Sequence, residues 1–308
     1  MEKYTQKKRK NQLLQTLISK HVSEKTLERV KDCNTFLFMV ADKTMEKTKL
    51  HRSNNCEHSF CPICAWKKAR KNALRISILM QYLKAEENKE FVFLTLTAPN
   101  VSAGELNDEI KHYNKSFQRL MQRKEVKQAV KGYIRKLEVT YSKDRGDYHP
   151  HFHVILAVNK SYFTDKNYYI ARNRWLELWQ RSTKDPRITQ VDVRRVKHTD
   201  NKKEVSELAK YSAKDSDYLQ DETIFDTFYK TLSGKKLIVY SGLFKEANKK
   251  YENKELEHYK EIDPTHYIYQ IFYHWGQTDY IQTEQKLMSE DMQKEVNQTM
   301  FEETDIEE

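Results

Sequence analysis

Residues 133–158 have the sequence YIRKLEVTYSKDRGDYHPHFHVILAV, which is two runs of alternating apolar and polar side chains around a short polar turn. Alternation with a period of two residues is typical of a strand with one buried face. A turn of charged residues and glycine between two such runs favours an antiparallel pairing. We therefore expect a β-hairpin in the middle of the chain.

The flanking sequence adds elements on both sides of this hairpin. FVFLTLT (91–97) and TQVDVRRV (189–196) alternate as strands, whereas apolar residues at helical spacing cover 106–130, 168–181 and 204–218. In chain order these segments predict β-α-β-β-α-β-α, the split βαβ pattern of a ferredoxin-like antiparallel sheet followed by one extra helix. The predicted fold class is therefore α+β, with helices on one face of the sheet and a polar opposite face.

His151 and His153 lie on that polar face. They are two residues apart on a strand, so both imidazoles project from the same side about 7 Å apart. Glu138 has matching parity on the neighbouring strand. Two imidazoles and a carboxylate with room for water and a substrate oxygen indicate an open metal site. The alternative is a polar strand edge whose histidines are only solvated.

Glu207 and Tyr211 are four residues apart in the predicted helix 204–218, and so would share a helix face. A tyrosine phenol is a competent nucleophile toward phosphorus when its ionisation is favoured. Lys210 and Lys214 are candidates to favour the phenolate or to hold a phosphate. The alternative is a packing or surface role, because the chain has 19 tyrosines.

The cysteines are all in the N-terminal quarter, and three of them have the spacing C-x4-C-x2-C. They are Cys33, Cys56, Cys61 and Cys64. Four thiolates suit a closed tetrahedral zinc site, and His51 or His58 would be an alternative ligand for one position. Structural disulfides are rare in the cytoplasm, so the other alternative is four free buried cysteines.

The formal charge of the chain is +10, from 55 Lys and Arg against 45 Asp and Glu. Eight acidic residues and one lysine lie within 289–308, so the rest of the chain is more basic still. Such a body attracts a polyanion, and nucleic acid is the abundant one in the cytoplasm. The alternative is a solvated Lys-rich surface without a partner. The candidate DNA contacts on the basic helix after Cys64 are Lys67, Lys68, Arg70 and Lys71, with Lys210 and Lys214 near the candidate nucleophile.

Composition divides the chain into four segments. We predict a helical N-terminal region with a zinc module at 1–86, the sheet core at 87–220, a C-terminal α/β extension at 221–288 and an acidic tail at 289–308. No run of about 18 apolar residues occurs, and no apolar stretch follows the Lys-rich start, so neither a membrane span nor a secretory signal is predicted. A cytoplasmic protein without membrane contact is the expectation.

Four motifs in this order carry a family resemblance. They are CEHSFCPICAWKKAR (56–70), FLTLT (93–97), HPHFHVIL (149–156) and ELAKYSAKDSDY (207–218). The chain resembles the replication initiator (Rep) proteins of Gram-positive rolling-circle plasmids, which belong to the histidine-hydrophobic-histidine (HUH) endonuclease superfamily.

The resemblance implies a Mg²⁺ or Mn²⁺ site on His151 and His153, with Tyr211 as nucleophile and Glu207 as the base that activates water at termination. Glu138 as third ligand follows from strand parity alone, and the role of His149 in the motif stays open.

The resemblance also implies an activity. The expected enzyme is a metal-dependent nickase and strand transferase that cuts the double-strand origin through a 5′-phosphotyrosine, leaves a 3′-OH primer and rejoins the strand. Expected partners are plasmid origin DNA, a host helicase with the replication machinery, since the sequence has no Walker motif, and a second copy of the chain. The alternatives are a conjugative relaxase or single-tyrosine transposase, and a non-catalytic zinc-containing DNA-binding regulator.

Overall fold

A computed structural model describes residues 1–197 and 201–306 of the chain. Its helices are α1 (Glu2–Ile18), α2 (Glu24–Asp32), α3 (Pro62–Ala85), α4 (Leu106–Met121), α5 (Lys124–Ala129), α6 (Arg172–Thr183), α7 (Lys202–Ala209), α8 (Asp215–Tyr218), α9 (Glu222–Leu232), α10 (Leu243–Glu252) and α11 (Glu290–Asn297). Its strands are β1 (Phe36–Asp42), β2 (Thr48–Ser53), β3 (Lys89–Leu96), β4 (Val130–Ser142), β5 (Asp147–Asn159), β6 (Val191–Arg195), β7 (Ile238–Gly242), β8 (Tyr267–Trp275) and β9 (Tyr280–Leu287).

The larger sheet has five strands in the order β6-β3-β5-β4-β7, and every neighbouring pair is antiparallel. Its first four strands follow the split βαβ connection, with α4 between β3 and β4 and α6 between β5 and β6. The predicted α+β class and antiparallel sheet are confirmed. β7 extends the sheet beside β4, and its sequence falls in the segment that was predicted as an α/β extension.

One face of this sheet builds the core. Phe152 is fully buried on β5 and its ring lies 5.7 Å from that of Phe117 on α4. Trp175 and Trp179 of α6 are also fully buried. Because side chains alternate along a strand, burying Phe152 against α4 turns His151 and His153 to the opposite face. Packing of the apolar residues therefore fixes which face carries the polar side chains.

The chain forms two compact units, which interleave along the sequence. Unit 1 consists of Met1–Lys68, Leu219–Phe225 and Lys260–Glu303, whereas unit 2 consists of Ala69–Tyr218, Asp226–Tyr259 and the end of the chain from Thr304. The five-stranded sheet lies in unit 2. Unit 1 holds the second sheet, with four antiparallel strands in the order β2-β1-β8-β9.

The N-terminal region contains strands that its helical pattern did not predict. β1 and β2 pair with each other, and β1 also pairs with β8, which lies more than 200 residues later in the chain. The aromatic run YIYQIFYHW (267–275) forms β8. In the tail, α11 begins at the N-cap Ser289, while Glu307 and Glu308 lie outside the described residues.

The predicted helix 204–218 is interrupted, which corrects the expectation that Glu207 and Tyr211 share a helix face. α7 ends at Ala209, and Lys210 has an extended ψ of 174°. The chain then meets β4, where the Val139 N–H donates to the Ser212 carbonyl at 2.8 Å. The hydrogen bond to the Val139 N–H at the edge of β4 therefore takes the place of the helical turn that was predicted after Ala209.

None of the helices within the described part of the chain is both long and apolar enough to span a bilayer.

Candidate active site and metal centres

The polar face of the five-stranded sheet brings Glu138, His151 and His153 together. Glu138 on β4 pairs directly with His151 on β5, and His153 pairs with Lys136 on one side and Thr95 on the other. One ligand atom from each of the three predicted residues lies within 4.8 Å of the others. The parity argument that joined Glu138 to the histidines is thus matched by the strand register.

Glu138, one member of this cluster, forms a buried ion pair with Lys136. The Lys136 side chain is fully buried, and its Nζ donates to Glu138 Oε2 and to the Glu207 backbone carbonyl, each at 2.8 Å. Burial alone would raise the pKa of Glu138, but the Lys136 ammonium and a contact from His153 Nε2 at 3.4 Å hold that pKa well below its usual range. Glu138 is therefore a carboxylate at any physiological pH.

The surroundings of His151 favour the neutral form of its ring. Burial lowers the pKa of His151 to about 4, against a smaller opposing effect of Glu138. His151 Nδ1 lies 3.2 Å from the His149 carbonyl and His153 Nδ1 lies 3.3 Å from the Thr95 hydroxyl. The contact at Nδ1 leaves Nε2 of His151 for a ligand, whereas Nε2 of His153 faces the carboxylates of Glu138 and Glu207. A neutral imidazole is the form that binds metal.

Glu207 reaches the cluster from α7, which packs across β4 and β5. Its Oε2 lies 3.7 Å from His153 Nε2, and its Oε1 accepts from Lys210 Nζ at 3.1 Å. A carboxylate held between a candidate metal ligand and a lysine is placed to accept a proton from a water molecule in the site.

Tyr211 is half-buried in the non-helical segment between α7 and α8. The bond between Val139 and Ser212 fixes the backbone next to Tyr211 beside the strand that carries Glu138. Tyr218, the other tyrosine of this motif, is buried to 3% exposure and its ring contacts Phe228 at 6.3 Å. The two tyrosines therefore differ in exposure, and Tyr218 belongs to the core.

The three ligands fit a hard divalent cation. Ligands of an octahedral Mg²⁺ at about 2.1 Å lie between about 3 and 4.2 Å from each other. The observed ligand atoms lie within 4.8 Å of one another, so a bound ion would draw these side chains closer together. Glu138 would supply the oxygen ligand that Mg²⁺ or Mn²⁺ prefers, and His151 and His153 would be the nitrogen ligands.

The four cysteines lie together in unit 1 and none of them forms a disulfide. Cys33 Sγ lies 3.5 Å from Cys64 Sγ and 3.7 Å from Cys61 Sγ, and Cys56 Sγ lies 3.6 Å from Cys64 Sγ. Four thiolates around zinc at about 2.3 Å would be about 3.8 Å apart. The cluster thus has the ligand type and spacing of a closed tetrahedral zinc site.

Helix α1 contacts the cysteine cluster through two polar side chains. The sequence predicts the cluster but not these contacts. Lys8 is 1% exposed, and its Nζ donates to the carbonyls of Cys33 at 2.6 Å and Lys31 at 2.9 Å. Asn11 donates to Cys61 Sγ at 3.4 Å. A buried ammonium and an amide donor offset the negative charge that four thiolates place around a divalent ion.

The candidate DNA contacts differ in how far they are engaged within the protein. Lys68, Lys71 and Lys214 are exposed. Lys67 Nζ donates to Asn34, Ser53 and Asn55, at 2.6 to 3.0 Å. Arg70 pairs with Asp305 at 3.2 Å, and Lys210 pairs with Glu207.

Lys136 and Thr95 are the site residues that sequence reasoning missed. Both have the same strand parity as their ligand neighbours, since 136 and 138 are two apart and Thr95 pairs with His153. Lys136 and Glu138 lie two residues apart on one strand, so the sequence places an ammonium and a carboxylate on the same face, which is a readable signal of an ion pair.

Comparisons with known proteins agree with these motifs. A family model described as replication protein matches residues 47–281. A protein of Staphylococcus aureus named "Protein rep" is 58% identical over 219 residues, which is 71% of this chain and 95% of that protein. Proteins of the same name from Bacillus amyloliquefaciens and Streptococcus pneumoniae are 34% and 32% identical, over 73% and 76% of this chain and 73% and 74% of theirs. No solved structure gives a significant match.

Proposed function

Because this chain belongs to the replication protein (Rep) family, we propose that it initiates rolling-circle replication of a plasmid by nicking one strand of the double-strand origin. Family membership confirms the resemblance that the motifs indicated. The observation that carries the nicking activity is the cluster of Glu138, His151 and His153, with Glu207 against it and the Tyr211 segment alongside.

The metal ligands would be Glu138, His151 and His153. A Mg²⁺ or Mn²⁺ ion bound there would supply Lewis-acid polarisation of the scissile phosphate. The ligand set is pre-organised by the protein, since Lys136 holds the Glu138 carboxylate and Thr95 holds the His153 ring. Little reorganisation is then needed when DNA binds.

Tyr211 is the proposed nucleophile. Its phenolic oxygen forms a bond to phosphorus while the bond from phosphorus to the 3′ oxygen breaks, and the phenol proton is transferred in net terms to that leaving oxygen. The products are a 5′-phosphotyrosine and a free 3′-OH, which primes a host polymerase. Attack of a 3′-OH on the phosphotyrosine reverses the step and rejoins the strand.

Glu207 is the proposed base for termination. After one round of replication the regenerated nick site must be cut again, and Glu207 would accept a proton from the water molecule that cuts it, so that the protein is released without a second covalent adduct. Lys136 is a positioning residue in this scheme, because its ammonium ties the Glu207 backbone to Glu138.

Origin affinity is assigned to the basic surface and to the cysteine module. Zinc on the four cysteines would fix the start of α3, which carries Cys64 in its first turn. Among the basic candidates, the exposed Lys68, Lys71 and Lys214 are available to phosphates, whereas Lys67 is engaged inside unit 1. Strand separation by a host helicase, a homodimer and a cytoplasmic location complete the proposal.

The test is nicking of a supercoiled plasmid that carries the cognate origin, with Mg²⁺ or Mn²⁺ and the full chain. We expect open circles with a covalently attached protein, and a peptide map that places the phosphate ester on Tyr211. A plasmid with a scrambled nick sequence is the control. Binding without cleavage in every divalent metal would instead indicate the non-catalytic regulator. Cleavage without extension of the 3′ end in a host extract would favour a relaxase or transposase.

A further inference from the structure

The four-stranded sheet of unit 1 has one covered face and one face that is only partly covered. Met39 and Ile271 are buried on the covered face among partly buried side chains that include Tyr4 and Leu50. On the other face, α11 covers the end near Val40. The remainder of that second face carries half-buried or exposed side chains.

Aromatic rings line this remaining area. Phe36 pairs with His274 across the ladder, and Phe38 pairs with Phe272, so these four side chains share one face. The ring of Phe272 lies 4.7 Å from that of Phe38 and 5.9 Å from that of Phe36, with interplanar angles of 26° and 25°. We call this set, completed by the His51 ring at 4.7 Å from Phe38, the aromatic platform.

Polar and basic groups surround the aromatic platform on both outer strands. Arg52 on β2 pairs with Phe38 and is exposed, and Lys286 on β9 lies over the Phe272 ring at 5.9 Å. Glu284 pairs with Lys286 at 2.7 Å, so this acidic group is partly neutralised. Ile281, opposite His274, adds an apolar side chain that is 59% exposed.

We propose that the aromatic platform binds unpaired bases of single-stranded DNA, as a second nucleic-acid site that is separate from the nicking residues. Aligned aromatic rings on an open antiparallel sheet stack bases of any sequence, and flanking Arg and Lys contact the phosphates. A purely apolar protein partner would not require two imidazoles and two cations at the rim. The proposal rests on the proposed function only in taking origin DNA as the natural ligand.

The test measures binding of a fluorescent oligo-dT to the full chain by anisotropy, in a Tyr211→Phe background so that no covalent adduct contributes. Phe38→Leu with Phe272→Leu keeps the apolar volume and removes the rings. We expect affinity to fall about tenfold or more, since base stacking on an aromatic ring contributes that much per base. Phe38→Tyr with Phe272→Tyr should retain binding, which excludes misfolding as the cause.

The matched control is Tyr168→Leu, which removes an aromatic side chain that is 42% exposed in unit 2. We expect this variant to bind oligo-dT like the parent. Zinc content and thermal unfolding of every variant are measured alongside, and equal values show that the leucine pair acts on binding rather than on the fold.

Cross-linking locates the bases directly. A 5-iodouracil oligonucleotide should cross-link to peptides that contain residues 36–38 or 272–274. Unchanged affinity in the leucine pair, or cross-links confined to unit 2, would overturn the proposal. The proposal would also be overturned if the leucine pair lost a concentration-dependent dimer but still bound oligo-dT. The face would then be a contact between two copies of the chain. Oligo-dT carries no nick site, so this binding measurement does not depend on nicking. If the proposed nicking activity failed, the binding result could still be interpreted.

Discussion

The two candidate metal centres differ in ligand chemistry and in what surrounds them. In unit 1, four soft thiolates surround the centre of the cluster, and the second layer is a buried ammonium and an amide. In unit 2, one carboxylate and two imidazoles occupy one side, and the neighbours are ionisable groups such as Glu207. A closed thiolate site stabilises a fold, whereas an open site with three protein ligands leaves positions for water and a phosphate oxygen. The proposed function therefore assigns a structural role to the cysteine cluster and a reactive role to the cluster of Glu138, His151 and His153.

The largest expected effect concerns the proposed nucleophile. Tyr211→Phe should form no covalent adduct with an origin oligonucleotide, because the nucleophilic oxygen is removed. Tyr218→Phe is the matched control and should still form the adduct, since its ring is buried against Phe228. Denaturing gels with labelled DNA measure both. A phosphate ester on Tyr218 in a peptide map would reverse the assignment.

Chelation should separate the two centres. Brief treatment with EDTA is expected to abolish nicking while zinc remains bound to the cysteines, since a closed thiolate site exchanges its ion slowly. Mn²⁺ should then restore activity without added zinc. His153→Ala should likewise lose nicking while duplex origin binding persists, because phosphate contacts of basic residues supply that affinity. Full activity in excess chelator would remove the metal from the mechanism.

Removing a ligand of the closed site should lower the stability of the protein and leave the nicking chemistry unchanged. Cys61→Ser removes one thiolate, and we expect zinc content to fall well below one ion per chain. Loss of a structural metal should cost several kilocalories per mole, which is a decrease in Tm of roughly 10 °C. Residual nicking per folded molecule should stay near the parent value. Metal analysis of reduced protein without any zinc in the parent would contradict this prediction.

Glu207 tests whether the groups around the open site have distinct roles. Glu207→Ala should still nick and form the tyrosyl adduct, but hydrolysis of the adduct should slow by about a hundredfold, as expected for loss of a positioned base. Covalent complexes and multimeric circles would then accumulate in a replication assay. Normal turnover would leave Glu207 as a partner of Lys210 only. Equal loss of the first nick would make it a metal ligand.

The two centres also differ in how far the sequence predicts them. Period-two alternation in residues 133–158 was enough to place Glu138 on the same face as His151 and His153, because strand parity is a local property. The direct pairing of Glu138 with His151 comes from the structure. The spacing of the cysteines was similarly local. Lys8 was not predictable, since it reaches the cysteine cluster only through the packing of α1. The pairing of β1 with β8 depends on a contact across more than 200 residues, which no local pattern encodes.

The end of α7 shows the same limit at shorter range. Apolar spacing continues past Ala209, but the chain leaves the helix because the β4 edge offers the Val139 N–H to Ser212. A tertiary hydrogen bond thus overrides local helix propensity. A non-helical segment therefore joins Glu207 to Tyr211. The hydrogen bond to β4, rather than helix geometry, sets the position of Tyr211 relative to Glu207.

The smallest expected effect is the acid sensitivity that His151 gives to the open site when no metal is bound. Burial lowers its pKa to about 4 in the folded chain, against about 6.5 in the unfolded chain. The folded state therefore favours the neutral ring, so this contribution to stability is complete above about pH 6.5 and is lost as the pH falls toward about 4. Glu138, whose pKa is also lowered, loses its contribution only at more acidic pH.

Between pH 7 and pH 5, this titration should lower the free energy of unfolding by about 2 kcal/mol. Urea unfolding of the parent and of His151→Gln at both pH values measures it. Protonation of the cysteines affects both proteins equally, so the difference between their curves isolates the histidine. The parent should lose about 2 kcal/mol more than the variant. If the free energy of unfolding of the parent and of the variant changed equally between pH 7 and pH 5, His151 would be hydrated in the metal-free protein. The open site would then be less buried than the closed one.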